Sequence, residues 1–375
     1  MQLTRFPIVI AIAIGLNLLG HGLSSANWQT KWEKTLAAAI EEGEVRVFTG
    51  GGYEAVYPEF QKAFPDIKLI GITGRGSQIA LRIMAERRAG KYLADVCICG
   101  ITTPYKILYG GKAVVPLRPV LVLPDILDKS NWFEKKHRYV DPEGKYIFAF
   151  MGNVGAAGQI AYNTNLVDPK QFKSYWDFVK PKWRGKVAIR HPKEPGAVKG
   201  SLRFFYFNPE LGPKYLRALF GELNATYYRG FAQGLDWVAR GKYPLCILCP
   251  NIYEGKQQGL PIDQPSLLKE GTSLSPGYGS IVKFKNAPNP NAADVFINWI
   301  LSREGQAKLQ STVAIRSRGT RILNSLRNDV PKDHIPKELQ RIKGEKYLFA
   351  SQPQMMDMSP ITKLINKTLA EAKKK

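Results

Sequence analysis

Short apolar runs alternate with glycine-rich turns and amphipathic stretches three times near the start of the chain. Residues 45–49, 67–73 and 94–99 are apolar runs of strand length. They lead into the turns Thr49-Gly50-Gly51-Gly52, Gly74-Arg75-Gly76-Ser77 and Gly100-Ile101-Thr102-Thr103. After the first turn, Val56, Phe60 and Phe64 fall at helical spacing and predict a buried stripe. The next helix, predicted over 78–89, turns Ile79, Ile83 and Met84 inward and Arg82, Glu86, Arg87 and Arg88 outward. Strands alternating with helices predict a parallel sheet with all three turns on one edge. Ligands of open parallel sheets bind at that edge, beyond the carboxyl ends of the strands. Glycine lets the backbone approach a ligand, and helix N-termini offer unpaired N–H groups.

The pattern repeats further on. A helix over 32–42 precedes the first strand, and proline and charge rise over 112–144. Residues 148–163 carry Gly152, Gly155 and Gly158 and end in Ile160-Ala161-Tyr162-Asn163, as expected of a chain crossing between lobes. A second series has strands at 186–190, 225–229 and 245–249 and helices at 196–207, 216–223 and 231–240. The stretch 260–279, rich in proline and glycine, contains the return crossing. Residues 281–285 rejoin the first lobe as a strand, and 291–301 form a helix burying Ala292, Val295, Phe296, Trp299 and Ile300. The expected fold is α/β: two parallel-rich sheets in two lobes, joined by two crossings, with a cleft between them. The expected division is 27–158 with 277–330 in lobe 1, 159–276 in lobe 2, and 331–375 as a C-terminal extension of packed helices with a basic tail. No internal repeat breaks this scheme.

The 375 residues suffice for two real cores, and 44% hydrophobic with 11% aromatic content is that of a globular protein. Residues 1–26 read as an export signal: Arg5 opens it, 6–20 are mostly apolar with Asn17 inside, and Ser24-Ser25-Ala26 is a small-residue cleavage pattern. Cleavage is expected before Asn27, with release into the periplasm. The absence of a nearby cysteine argues against a lipid anchor. The formal net charge is +23. Its basic residues are scattered, with runs only at Lys135-Lys136-His137-Arg138 and Lys373-Lys374-Lys375. That is not the patch of basic and aromatic residues that nucleic acid requires, so no nucleic-acid partner is expected. It favours an anionic ligand or an anionic membrane surface.

The candidate contacts cluster on the strand-end turns. In lobe 1 they are Thr49, Gly51, Tyr53, Arg75, Gly76, Ser77, Thr102 and Thr103. Arg75 sits at a helix start, where a cation opposes the helix dipole and pairing with an anion would offset the cost. In lobe 2 the strand leads into the loop His191-Pro192-Lys193-Glu194-Pro195-Gly196-Ala197-Val198-Lys199-Gly200-Ser201. Arg190, His191, Gly196, Lys199 and Ser201 are its candidates, with Arg229 and Tyr253 after later strands and Tyr162 at the crossing. The bland alternative is that these are solvated turns. The four cysteines stand as Cys97-Ile98-Cys99 and Cys246-Ile247-Leu248-Cys249, spacings that do not match a structural zinc site. They are expected to be buried core residues. The export context leaves a disulfide open, and Cys99 with Cys249, both at strand ends, mark a speculative soft-metal site. No catalytic constellation assembles: there is no G-x-S-x-G elbow, phosphate loop or complete dinucleotide fingerprint, and position 79 is Ile. Neither catalysis nor a cofactor is expected.

Several stretches resemble the extracellular solute-binding proteins of ABC importers, in the two-lobed class that includes ferric-iron, polyamine and thiamine binders. The resemblance runs through Trp32-Glu33-Lys34 to Glu42-Gly43-Glu44-Val45, Ala85-Glu86-Arg87-Arg88-Ala89-Gly90-Lys91-Tyr92, Ile160-Ala161-Tyr162-Asn163 and Gly241-Lys242-Tyr243-Pro244. Its most specific part is Ala287-Pro288-Asn289-Pro290-Asn291-Ala292-Ala293, continuing through Phe296 and Trp299 to Ser302-Arg303-Glu304-Gly305-Gln306. The resemblance implies a type 2 periplasmic-binding-protein fold. It also implies a monomeric clamp that closes on a small-molecule solute and delivers it to a permease in the inner membrane. Ferric binders of the class use a tyrosine cluster with an adjacent pair after the strand equivalent to 245–249. Here the adjacent pair, Tyr227-Tyr228, comes earlier, and Tyr253 follows that strand. The ligand expected from the loops is a small anion or anion-chelated ferric iron. An exported sensor or enzyme on the same clamp is the alternative.

Overall fold

The computed structural model describes residues 25–50, 52–155, 159–194, 198–230, 232–266, 268–316 and 322–374. Positions 1–24 of the expected signal, and the candidates Gly51 and Gly196, lie outside them. Helix α1 (Ser25–Glu42) leads into β1 (Glu44–Thr49), α2 (Tyr57–Ala63), β2 (Lys68–Thr73), α3 (Gly76–Arg88) and β3 (Val96–Cys99). The third glycine turn enters a π-helical turn, Pro104–Tyr109. The weakly patterned region holds β4 (Val114–Val115), α4 (Pro124–Leu127), β5 (Arg138–Tyr139), β6 (Phe148–Ala149) and β7 (Asn153–Val154).

The second series opens with β8 (Ile160–Asn163), β9 (Val187–Arg190), α5 (Val198–Phe207), α6 (Gly212–Gly221) and β10 (Thr226–Tyr228). It closes with α7 (Gln233–Ala239), β11 (Leu245–Ile247), α8 (Ile252–Gln257) and β12 (Ile262–Asp263). Helix α6 starts earlier than the apolar pattern predicts, because proline is tolerated in its first turn. The chain returns through β13 (Thr272–Ser275) and β14 (Ser280–Phe284) to α9 (Pro290–Leu301), α10 (Arg303–Arg316), β15 (Tyr347–Leu348) and α11 (Ser359–Ala372).

Lobe 1 is built on a seven-stranded sheet of order β2-β1-β3-β14-β6-β5, with β4 on β14. Strands β1, β2 and β3 are parallel, as the alternation predicts, so their three turns share one edge. The returning β14 runs antiparallel to β3, with Ser280 opposite Cys99. Lobe 2 repeats the plan in a five-stranded sheet of order β10-β9-β11-β8-β12, where β9 is parallel to β10 and β11, and the crossing strand β8 is antiparallel to β11. Both sheets are therefore mixed: each takes its antiparallel strand from the chain that has just crossed over.

Of the expected apolar stripes, Val56, Phe60, Ile79 and Ile83 are buried, while Phe64 and Met84 are half-buried at the core's edge. Phe60 packs edge-on against Phe296 and Trp299, at centroid distances of 5.2 and 5.3 Å. The Glu42 carboxylate, at the end of α1, accepts hydrogen bonds from the Asn291 and Ala292 backbone N–H groups at the start of α9. This carboxylate caps the helix in place of a local side chain. The lobe cores are separate clusters, one around β1, β3, β14 and α9, the other around β9, α5 and α6.

A small third sheet, β15-β13-β7, joins them. The two expected crossings thus gain a third strand from the C-terminal extension. Phe349, just after β15, is buried in the lobe 1 core, while Ala350, Ile361 and Ile365 are buried in that of lobe 2. Two residues of strand are too few to leave a period in the sequence, which is why this element was not legible. Among the described residues no helix is long and apolar enough to cross a membrane.

Candidate functional site

The three glycine turns of lobe 1 meet one another. A β-carbon at Gly50 would stand 3.0 Å from the Gly74 carbonyl oxygen and 3.1 Å from the Tyr278 ring. One at Gly100 would stand 3.3 Å from the Gly277 carbonyl. A side chain at either position would need its neighbours to shift by a few tenths of an ångström, and the segment between β13 and β14 lies over the strand ends. Gly76 begins α3 beside Cys99 and Thr103, so the second and third turns also touch. Arg75 has extended backbone, its carbonyl accepts the first α3 hydrogen bond from Ile79, and its side chain is exposed. Ser77 is exposed, and Thr102 and Thr103 are half-buried.

Five expected contact residues lie instead in the lobe interiors. The Thr49 hydroxyl is buried 2.8 Å from that of Tyr57, and Tyr53 packs edge-on against Phe150 at 6.2 Å. Tyr162 is buried in β8 beside Phe172, and burial pushes its phenol up to about 12. Ser201 is buried in α5. Arg190 is only 1% exposed, and its Nε donates to the Arg229 carbonyl at 3.3 Å. The reason is common to all five: a residue at a strand end or inside a helix can face the core as readily as the ligand edge, and spacing in these short segments does not separate the two.

The remaining lobe 2 candidates stay near solvent. The His191 N–H donates to the Tyr228 carbonyl at 2.8 Å, fixing the end of β9 beside that of β10. Its ring is half-buried, edge-on to Tyr227 at 5.8 Å, and its Nδ1 accepts from the Lys193 N–H. Burial lowers the pKa of the His191 imidazole, and the neighbouring Arg229, Lys193 and Lys199 charges add to that effect. Lys199 donates to the Pro192 carbonyl at 3.0 Å, which draws the loop over the start of α5. Arg229 is exposed, with Glu194 at 3.9 Å as a loose partner. Tyr253 is half-buried and feels the charge of Glu338 from the C-terminal extension.

The speculative metal pair does not form. Cys99 is buried in the lobe 1 core and Cys249 in a separate lobe 2 cluster with Tyr228 and Cys246. All four cysteines are free thiols. The Cys97 thiol, pushed up by its contact with Cys99 and by burial, is a poor thiolate source. Among the described residues no group of three or more His, Cys, Asp or Glu side chains could hold a metal ion. Of the adjacent tyrosines, Tyr228 is buried and bonds Cys246, while Tyr227 is half-buried and stacks with Phe220. One residue escaped the sequence reading. Tyr278, 43% exposed over Gly50, stands between Gly277 and Gly279, and that flanking was its only signal.

No protein-family model matches the chain. Solved structures do match it. The periplasmic binding protein AfuA from Actinobacillus pleuropneumoniae, with exogenous fructose-6-phosphate bound, superposes with a TM-score of 0.59 at 19% identity, over 88% of this chain and 99% of that one. Apo FutA2 from Synechocystis PCC6803 gives 0.64 at 15%, over 87% and 98%. The Trichodesmium FutA (IdiA) in complex with iron and citrate gives 0.62 at 17%, over 88% and 99%. The chain has the two-lobed fold of the periplasmic binding proteins.

Proposed function

We propose that this protein is the periplasmic solute receptor of an ABC importer. It captures a small anionic solute, or ferric iron chelated by one, and hands it to a permease in the inner membrane. The division into lobe 1 (27–158 and 277–330), lobe 2 (159–276) and extension (331–375) supplies the clamp, and the chain acts as a monomer freed by cleavage before Asn27. The observation that carries this reading is the meeting of three glycine turns on one lobe, with His191, Lys199 and Arg229 near solvent at the strand ends of the other. Such an arrangement offers backbone donors and positive charge to an oxyanion. The neighbours support it: one carries a phosphate ester and another a citrate with iron. The burial of Tyr228, with its hydroxyl on Cys246, favours a chelate over bare iron.

The test is mass spectrometry of the ligand that copurifies with protein from its native compartment, followed by titration of that compound. Arg75→Ala is expected to weaken binding by roughly ten- to a hundredfold, the worth of one charge-assisted contact, and Lys199→Ala by a similar factor. If both leave the affinity intact, the loops are solvated turns and the anion reading is wrong.

A further inference from the structure

Between Lys106 and the first turns of α11 lies an open pocket of about 560 Å³, lined by Lys106, Asp357, Ser359, Thr362, Lys363 and Asn366. Its walls belong to different lobes. Lys106 rides on the π-helical turn after β3, which Leu108 anchors in the lobe 1 core. Helix α11 is locked to lobe 2 through Ile361 and Ile365. Any motion of one lobe against the other therefore changes the width of this pocket.

Its chemistry is one-sided. Two ammonium groups, two hydroxyls and an amide face a single carboxylate. That carboxylate is engaged: Asp357 accepts from the Ser359 N–H at 2.8 Å, and these contacts hold its pKa below the usual range, with Lys106 adding to them. Like charges on facing lobes repel, and the repulsion grows as the lobes approach. An anion between them reverses its sign.

We propose that this pocket is an oxyanion subsite at the lobe boundary, where a carboxylate or phosphate of the solute bridges Lys106 and Lys363 and so draws the lobes together. The C-terminal extension then forms a third wall of the site, with Ser359 and Thr362 as hydroxyl donors. This rests on the anionic-solute reading above and adds residues to it. Closure requires the anion, because without one the two lobes carry facing positive charge.

Citrate and inorganic phosphate serve as probes, titrated by calorimetry at low salt on the mature chain. Lys106→Gln and Lys363→Gln are each expected to lower the affinity of the probe that binds by about three- to tenfold. Asp357→Asn is expected to raise it, a sign that loss of folding cannot mimic. Compaction by that probe, read by X-ray scattering, is expected to fail in Lys106→Gln. Citrate binding alone identifies a polycarboxylate site, and phosphate binding alone a phosphoryl site. If neither probe binds, or if both glutamine variants bind as tightly as the parent, the subsite is refuted. Weakening by Arg75→Ala with no effect of Lys106→Gln or Lys363→Gln leaves the receptor reading standing and overturns this one alone.

Discussion

In lobe 1 the sheet runs β2-β1-β3-β14, and in lobe 2 it runs β10-β9-β11-β8, so each lobe sets three parallel strands beside one strand from a crossing segment. The strand ends differ. Those of lobe 1 finish in turns where a β-carbon would crowd a neighbouring carbonyl or the Tyr278 ring. Those of lobe 2 bury Arg190, half-bury His191 and leave Arg229 exposed, with the ends of β9 and β10 tied by backbone contacts. One set of ends is tight at its backbone, the other carries charged side chains near solvent. For the receptor proposed above, the first offers backbone donors that add no charge, and the second offers the cations of Lys199 and Arg229.

The lobes also differ in how their distant segments are tied, and the largest expected effect tests this. In lobe 1 the buried Asp95 carboxylate accepts from the Arg46 N–H and from the Asn289 N–H and side-chain amide. In lobe 2 the buried Asn163 amide donates to the Val238 carbonyl and accepts from the Asn165 N–H. Asp95→Ala strands three donors at about 1–3 kcal/mol each, so its loss of stability in urea unfolding should exceed that of Asn163→Ala. Equal losses would remove the contrast.

A second test concerns a device the lobes share. A β-carbon at Gly71 would fall 2.1 Å from the Tyr57 ring, and one at Gly234 would fall 2.1 Å from the Tyr228 ring. Gly71→Ala and Gly234→Ala should each cost about 1–3 kcal/mol by overpacking, read from denaturation midpoints. A cost in one lobe only would show that the other yields.

Tyr278 sharpens the account of the tight strand ends. Tyr278→Ala should weaken ligand binding several-fold while leaving thermal stability within about 0.5 kcal/mol, because the ring is a surface cover rather than core. An unchanged affinity would place the ligand away from Gly50.

The smallest effect probes the charged strand ends. His191 has its folded pKa below the unfolded value, so the folded chain binds fewer protons and stability falls as pH drops through about 6.5 and below. His137, in lobe 1, shifts the same way, chiefly through burial. His191→Asn should reduce the acid loss by a fraction of that slope, measured by melting between pH 7 and 5. No change would assign the whole slope to other groups.

Much was legible before any coordinates. The alternation of apolar runs and amphipathic stretches determined the α/β class, the parallel core of lobe 1 and the burial of Val56 and Phe60, because strand and helix periods are local and burial follows them. It also located the turns at Gly50, Gly74 and Gly100, since glycines directly after apolar strand runs mark turns. What only the tertiary structure decided was direction and company. Thr49, Tyr53, Tyr162, Arg190 and Ser201 turned inward, because the face a strand-end residue presents depends on the neighbours stacked against it. Cys99 and Cys249 were parted into separate cores by the fold of two lobes. Strand β15 and the meeting of Lys106 with α11 join segments far apart in the chain, and nothing in a local pattern encodes a contact made across such a distance.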